Sequence, residues 1–381
     1  MRIAILGGGN GAHACAAHLA LKGHQVNMFE LPQFESNIEA VIERGGIEIS
    51  GSVISGFAKL NKVTTNIAEA IDDVELIMQV VPAFGHRKFA ETCIPYLKDG
   101  QYVVLNPGNG SSLEWYKILK DSAVKKDVKI AETHSLTYAC RLQNPGHVQV
   151  NHACPKVWFA AMPSKDTSEM LALFKELYPS AVAAKNVLEA FFLNGNPIHH
   201  PTGTILNAGR IEYVYGHLQG NLYKTGTDFY MYREGLTPSV VRVAEALDEE
   251  RLAICRALDL SEITTIEKLY EDGFSVTPDG KPYPNLYEAY HSEVFCGPHA
   301  SKGPTSLKSR YITEDIPYGL VTWASIGEML GIKTPTMHAL IHLASILNKT
   351  DYWKEGRTAE KLGITHMTID QLKKYLEMGE E

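Results

Sequence analysis

Two adjacent histidines, His199 and His200, sit in the run Asn194-Gly-Asn-Pro-Ile-His-His-Pro-Thr-Gly-Thr-Ile-Leu-Asn-Ala-Gly209, beside Asn194, Asn196 and Asn207. A packing helix does not carry so many polar side chains, and imidazole exchanges protons near neutral pH. The chemistry this cluster suits is proton donation to a heteroatom. His200 is the stronger candidate: Pro201 restricts its predecessor to extended backbone and so fixes the direction of His200 at a helix entrance. Downstream, Gly303-Pro-Thr-Ser-Leu-Lys-Ser-Arg310-Tyr-Ile-Thr-Glu314-Asp315-Ile-Pro-Tyr-Gly319 places an arginine five positions before an aspartate. A guanidinium fork holds a carboxylate, and a carboxylate on the far nitrogen of a histidine stabilises imidazolium. Arg310 and Asp315 could fill these roles, although such a pair taken alone is more often a surface salt link or a helix cap.

A proton donor needs a reaction to serve, and the start of the chain suggests one. Met-Arg-Ile-Ala-Ile-Leu-Gly7-Gly-Gly9-Asn10-Gly11-Ala12 reads as a strand feeding a GxGxxA turn that opens a helix. Gly7 permits the tight turn, Gly9 lets the backbone approach a pyrophosphate, and Ala12 lets helix pack on strand. The helix N-terminus then offers free N–H groups to the phosphates. Glu30 ends the second strand, 21 residues after Gly9 (30 − 9), near the ~20 expected of an acid that accepts ribose hydroxyls. It would repel a 2′-phosphate, and the following Leu-Pro-Gln-Phe-Glu-Ser-Asn supplies no Arg or Lys to hold one. NAD(H) is therefore favoured, with NADP(H) not excluded. Val80-Val81-Pro82-Ala-Phe84 and Asn106-Pro-Gly-Asn-Gly110 fall at carboxyl ends of strands, where open α/β sheets bind ligands. Val81 and Pro82 are expected near the cofactor ribose and Asn106 near the nicotinamide; strand-ending turn chemistry is the alternative.

These residues must be positioned by elements that the apolar pattern outlines. Short runs at Arg2 to Leu6, His24 to Glu30, Val74 to Val81, Gln101 to Leu105 and Val128 to Glu132 alternate with helical stretches, the pattern of a doubly wound parallel sheet. Gly46 to Phe57 suggests an inserted hairpin, and Val148 to Ala161 two further strands that could extend the sheet. From about Ser164 the periodicity becomes helical, as in Pro238 to Leu258. The predicted fold is α/β: an N-terminal Rossmann-type doubly wound sheet over 1–185 and a mostly α-helical C-terminal domain over 186–381.

Composition narrows the partners. Length (381 residues) allows two cores, and 45% apolar with 21% charged residues is ordinary for a globular protein. Net charge is -8 with scattered Lys and Arg, unlike the basic footprint of a nucleic-acid binder. Cys15, Cys93, Cys140, Cys154, Cys255 and Cys296 lack the paired spacing of disulfide frameworks or zinc sites, so no metal is expected. No apolar run approaches the ~18 residues of a membrane span and no leader pattern precedes the first strand, which predicts a cytoplasmic protein without a membrane partner. The helical domain could supply a homodimer interface.

The GxGxxA start, the Asn-x-Asn-x-x-x-His-Pro run ending Asn-Ala-Gly, and Arg310-Tyr-Ile-Thr-Glu-Asp-Ile-Pro-Tyr-Gly319 together resemble the opine dehydrogenases, which include the octopine and nopaline enzymes. The resemblance implies that a 2-oxo acid, commonly pyruvate, condenses with the amino group of an amino acid and that NAD(P)H reduces the resulting imine. It implies His200 as catalytic acid/base, Asp315 as its charge partner and Arg310 as a carboxylate anchor. Phe191 to Asn196, Thr202 and Asn207 would line the same cleft. His134, in Glu132-Thr-His134-Ser-Leu-Thr137-Tyr138, would contact the oxo acid and is a lower-ranked rival proton donor. Tyr213, Tyr215, Tyr223, Asp228, Tyr230, Tyr232 and Glu234 crowd one region and could shape an amino-acid pocket. The rival readings are a ketopantoate-reductase-like enzyme, whose site usually rests on a lysine and an acid, and an NAD-sensing regulator without turnover.

Overall fold

Strand β1 (Arg2–Leu6) has Ile3, Ala4, Ile5 and Leu6 all at 0% exposure, as a strand covered on both faces requires. In the computed structural model, which describes residues 1–214, 229–260, 263, 265, 266, 268, 281–297 and 302–380, β1 lies inside an eight-stranded sheet. Its members are β1, β2 (Gln25–Phe29), β5 (Lys62–Thr64), β6 (Leu76–Gln79), β7 (Tyr102–Leu105), β8 (Lys129–Thr133), β11 (Val157–Met162) and β12 (Ala181–Ala183), in the order β12-β11-β8-β7-β6-β1-β2-β5. All neighbours are parallel except β11 against β8. The parallel run from β5 to β8 is the Rossmann-type sheet that the alternating pattern predicts.

A second sheet of four strands, ordered β4-β3-β10-β9, joins β3 (Gly46–Gly51) and β4 (Gly56–Lys59) to β9 (Tyr138–Asn144) and β10 (His147–Ala153). The hairpin expected at Gly46 to Phe57 is present as the antiparallel pair β3/β4. Of the two strands expected over Val148 to Ala161, β11 extends the large sheet, whereas β10 runs parallel to β3 and leaves it. Helix α1 (Asn10–Leu21) packs against strands of both sheets. That explains its composition: Ala12, Ala14, Cys15, Ala16, Ala17 and Leu19 are all buried, and a helix covered on every side is apolar all round.

The chain divides into two compact units, Met1–Phe191 with Met367–Glu381, and Phe192–His366. The sequence assigned the C-terminal residues to the helical part, but α9 (Ile369–Met378), closed at its start by a Thr368/Gln371 capping box, returns to the first unit. There Tyr116 donates its hydroxyl to Gly379 O at 3.0 Å. A Cβ on Gly379 would stand 2.2 Å from the Tyr116 hydroxyl oxygen, and the φ of +76° there favours glycine.

The second unit is built from α4 (Asn196–Ile205), α5 (Pro238–Ala257), α6 (Arg310–Thr313), α7 (Val321–Met329) and α8 (Pro335–Asn348), with shorter helices between them. Helix α4 packs against α5, α6 and α8. Asp248 and the fully buried Arg251 on α5 bond at 2.8 Å, and Arg251 also donates to Phe192 O at 2.8 Å, anchoring the segment that leads into α4. Among the described residues no helix is long and apolar enough to cross a membrane and no cluster fit to hold a metal ion is found.

Candidate active site

In the first unit the glycine turn is shaped by what surrounds it. Gly7 has φ +118°, and a Cβ there would meet Val80 O at 2.6 Å and Val81 Cγ1 at 2.7 Å, so only glycine fits under the end of β6. A Cβ on Gly9 would meet nothing within 4 Å, which leaves that face of the turn open. Gly9 begins α1 without any side-chain cap, so the first N–H groups of the helix are not consumed by a capping side chain. The side chain of Asn10 turns elsewhere, accepting from Leu142 N at 2.8 Å. Gly11 allows Leu136 and Val80 to close on the helix, since a Cβ would stand about 3 Å from both. Ala12 is fully buried.

Glu30 directly follows β2, with its carboxylate directed at the turn. Leu31 N donates to one oxygen at 2.8 Å and Asn37 Nδ2 to the other at 3.3 Å, and that second oxygen lies 2.9 Å from where a Gly8 Cβ would be. Burial raises its pKa above the ordinary carboxylate range, with the hydrogen bonds from Leu31, Asn37 and Gly8 opposing. A dinucleotide fits this arrangement: phosphates at the uncapped helix end and open Gly9, ribose hydroxyls at Glu30. The one-turn helix Pro32–Asn37 beyond it carries no Lys or Arg for a 2′-phosphate.

Val81 and Pro82 follow β6, as expected from the strand pattern. Asn106 behaves differently from its expectation. It is fully buried; its Nδ2 donates to Thr137 Oγ1 at 3.1 Å, and its Oδ1 accepts from Thr137 N at 3.2 Å and Thr133 Oγ1 at 3.1 Å. Its side chain is spent bracing the Thr133 to Thr137 loop, so the nicotinamide contact assigned to it cannot use the amide. His134 in that loop accepts from Trp158 N at 3.2 Å, and burial with the nearby Lys156 pushes its pKa down to about 3. A neutral imidazole at working pH makes His134 a poor proton donor. Glu132 beside it is wholly consumed at the start of α2 (Ser111–Asp121), accepting from Gly110 N at 2.8 Å and Ser112 N at 2.9 Å.

In the second unit His200 and Asp315, 115 residues apart, are brought together. His200 Nδ1 and Asp315 Oδ2 are hydrogen-bonded at 2.8 Å, with side-chain exposures of 12% and 10%. His200 lies within α4, not at its entrance. The expectation of an extended His200 before Pro201 fails because packing of α4 against its neighbours overrides that local preference. Asp315 leads into a single π-helical turn, Ile316–Leu320, with Leu320 N bonded to Asp315 O at 2.9 Å. Such turns recur at functional sites because they re-aim one side chain. Gly319 lets the turn close on α4, since a Cβ would meet Pro197 Cγ at 2.5 Å. Burial raises the Asp315 carboxyl well above its usual range, and the Arg310 guanidinium pulls it back. Tyr311 lies flat on the His200 ring, centroids 3.7 Å apart and planes 8° apart. The sequence reading passed over Tyr311, although four residues before Asp315 on a helical segment is the same face.

The other candidates separate. Arg310 is 67% exposed at its side chain, with Nε on Glu314 at 3.1 Å. His199 is buried against Tyr232 and Tyr290, centroids at 5.5 and 5.8 Å, and burial holds its pKa well below the ordinary value. Thr202 is fully buried with its hydroxyl donated to Ile198 O, so it is not a substrate donor. Asn207 donates to Gly203 O at 2.8 Å and Gly235 O at 2.9 Å, which leaves only its carbonyl oxygen for a ligand. Phe191 and Phe192 are core residues, each at 0% exposure, rather than cleft lining. Tyr215, Tyr223 and Asp228 lie outside the described residues.

A Rossmann-type nucleotide turn in one unit and a nearly buried His–Asp pair in a helical second unit fit an NAD(P)-dependent oxidoreductase. Residues 183–348 match the model of the NAD/NADP octopine/nopaline dehydrogenase alpha-helical domain, and residues 2–108 that of the NAD-dependent glycerol-3-phosphate dehydrogenase N-terminus. The chain is 36% identical over 375 residues to an opine dehydrogenase of Arthrobacter sp. (strain 1C), covering 98% of both chains. It is 28% identical to a vitopine synthase of Allorhizobium ampelinum, covering 95% of each. In fold it is similar to an octopine dehydrogenase solved in complex with NADH and agmatine, at a TM-score of 0.78 and 21% identity, covering 100% of this chain and 98% of the other. The chain belongs to the opine dehydrogenase family, whose members reductively join a 2-oxo acid to an amino group through an imine and run the reverse oxidation.

Proposed function

We propose that this opine dehydrogenase acts on pyruvate or a similarly small 2-oxo acid together with an amino acid, with His200 as its proton donor. The observation that carries the reading is the His200–Asp315 hydrogen bond at 2.8 Å between two nearly buried side chains. With Asp315 at Nδ1, the imidazole is held in orientation, and Nε2 is the nitrogen assigned to proton exchange with substrate. Protonated His200 gives that proton to the carbonyl oxygen as the amine adds and water leaves. Arg310 holds a substrate carboxylate through its Nη groups while Glu314 keeps Nε. Gly7, Gly9, the first turn of α1 and Glu30 hold the dinucleotide, with Val81 and Pro82 beside it; NADH, when bound there, supplies the hydride that reaches the iminium carbon.

The test is NADH oxidation with pyruvate against each amino acid, with product mass. Consumption only when both substrates are present, yielding a secondary-amine dicarboxylate, is expected. Consumption with the oxo acid alone would replace this reading with a simple reductase, and binding without consumption would replace it with a regulator.

A homodimer is proposed through α8, whose 14 residues include no Asp, Glu, Lys or Arg and which exposes Leu343, Ile346 and Leu347 at 42%, 60% and 38%. A second copy could cover such a face about a two-fold axis without like-charge contact. Ile346→Asp should then give a monomer by sedimentation; a wild-type monomer overturns the proposal.

A further inference from the structure

The segment that delivers Asp315 to His200 delivers a second group, and its geometry carries chemical information. Tyr311 and Asp315 are four residues apart, and they meet the imidazole from two directions: Asp315 in the ring plane at Nδ1, Tyr311 on the ring face. Two such contacts leave the ring neither tilt nor rotation, so the direction of Nε2 is set by one helical turn.

The stack itself is unusual for two neutral rings. A centroid separation of 3.7 Å at 8° is far inside the ~4.5 Å at which neutral aromatic pairs begin to settle into offset or edge-on arrangements. A cation over an aromatic face prefers this close, parallel approach, because the negative face of the ring attracts the positive charge. His199, on the same helix, presents its ring edge-on to His200 at 4.5 Å and 82°. Among the described residues, the titratable and charged groups beside His200 include His199 from α4, Tyr311 and Asp315 from the facing segment, and Arg310 and Glu314 beyond them. Tyr232 and Tyr290 reach His199.

We propose that Tyr311 is a positioning residue for the reductive step: its ring face locks the plane of the His200 imidazole and favours the protonated donor. The proposal rests on His200 being the proton donor. In the reductive direction activity requires the protonated pair, so kcat/KM falls on the alkaline side of the pH profile, and removal of the aromatic face moves that limb to lower pH.

The experiment compares the pH profiles of kcat/KM for wild type, Tyr311→Phe and Tyr311→Leu, with Tyr311→Met in place of leucine if that variant does not fold. NADH affinity and the melting transition serve as controls. Phenylalanine keeps the face and should leave the limb in place. Leucine or methionine should move it down by roughly half to one pH unit, the size of a partly desolvated cation–π contact. An unmoved limb in the aliphatic variant overturns the proposal. So does an equal movement in Tyr311→Phe, because the hydroxyl rather than the face would then be responsible. Failure of the underlying reading looks different: His200→Ala would retain turnover and the wild-type limb.

Discussion

The nucleotide turn and the His200 cluster solve opposite problems with opposite means. At Gly7 to Ala12 the working groups are backbone, and side chains matter by being absent: a Cβ on Gly7 would collide with Val80 O at 2.6 Å, and the one on Gly9 would fill an open face. At His200 the proposed working groups are side chains, brought from two distant helical segments, and the backbone matters through a π turn and a glycine that let the segments close. A site made of backbone can be read from local spacing. A site made by packing cannot, because spacing says nothing of which helices meet.

The largest effect expected from breaking the second site alone is that of His200→Ala. Turnover should fall about 10³-fold, within the usual range for loss of a general acid, while NADH affinity by fluorescence titration stays unchanged. Loss of NADH binding instead would erase the contrast between the two sites. Gly7→Ala should do the reverse: the left-handed backbone alone costs about 1–3 kcal/mol and the collision adds to it, so melting temperature and NADH affinity both drop. Glu30→Gln should weaken NADH binding by roughly 10-fold, the worth of hydrogen bonds to a charged group, with little change in turnover at saturating NADH.

A pH experiment sharpens the comparison from the stability side. His134 is held neutral with a pKa of about 3, far below the ordinary 6.5. Its folded value is depressed, so the unfolded chain takes up the proton first as pH falls. The stability is whole above about 6.5 and declines towards 3, by roughly 1.4 kcal/mol per pH unit. Denaturation midpoints between pH 7.5 and 5.5 should show this, and His134→Gln should flatten the slope; an unchanged slope would mean His134 charges freely. The smallest expected effect is Thr202→Val, whose lost hydroxyl bonds Ile198 O: turnover should stay within about twofold.

How much was legible follows from the same contrast. The strand–turn–helix start, the approximate strands and the helical second unit were readable because apolar periodicity and glycine chemistry are local. The exit of β10 into a second sheet was not, since a strand's partners depend on non-local pairing. Asn106 looked like a ligand contact because sequence marks strand ends but not where an amide points. Pro201 misled because the extended preference of its predecessor is weaker than the packing of α4. Tyr311 was in plain view and read only for its charged neighbours.

His200 and Asp315 are proposed to act as one unit in proton transfer. A double-mutant cycle on kcat/KM tests it most directly, using His200→Ala, Asp315→Asn and the combination. If the pair works as a unit, the double variant loses no more than His200→Ala alone, because Asp315 acts only through the imidazole. Losses that multiply, or a His200→Ala variant that keeps its turnover, would contradict the account.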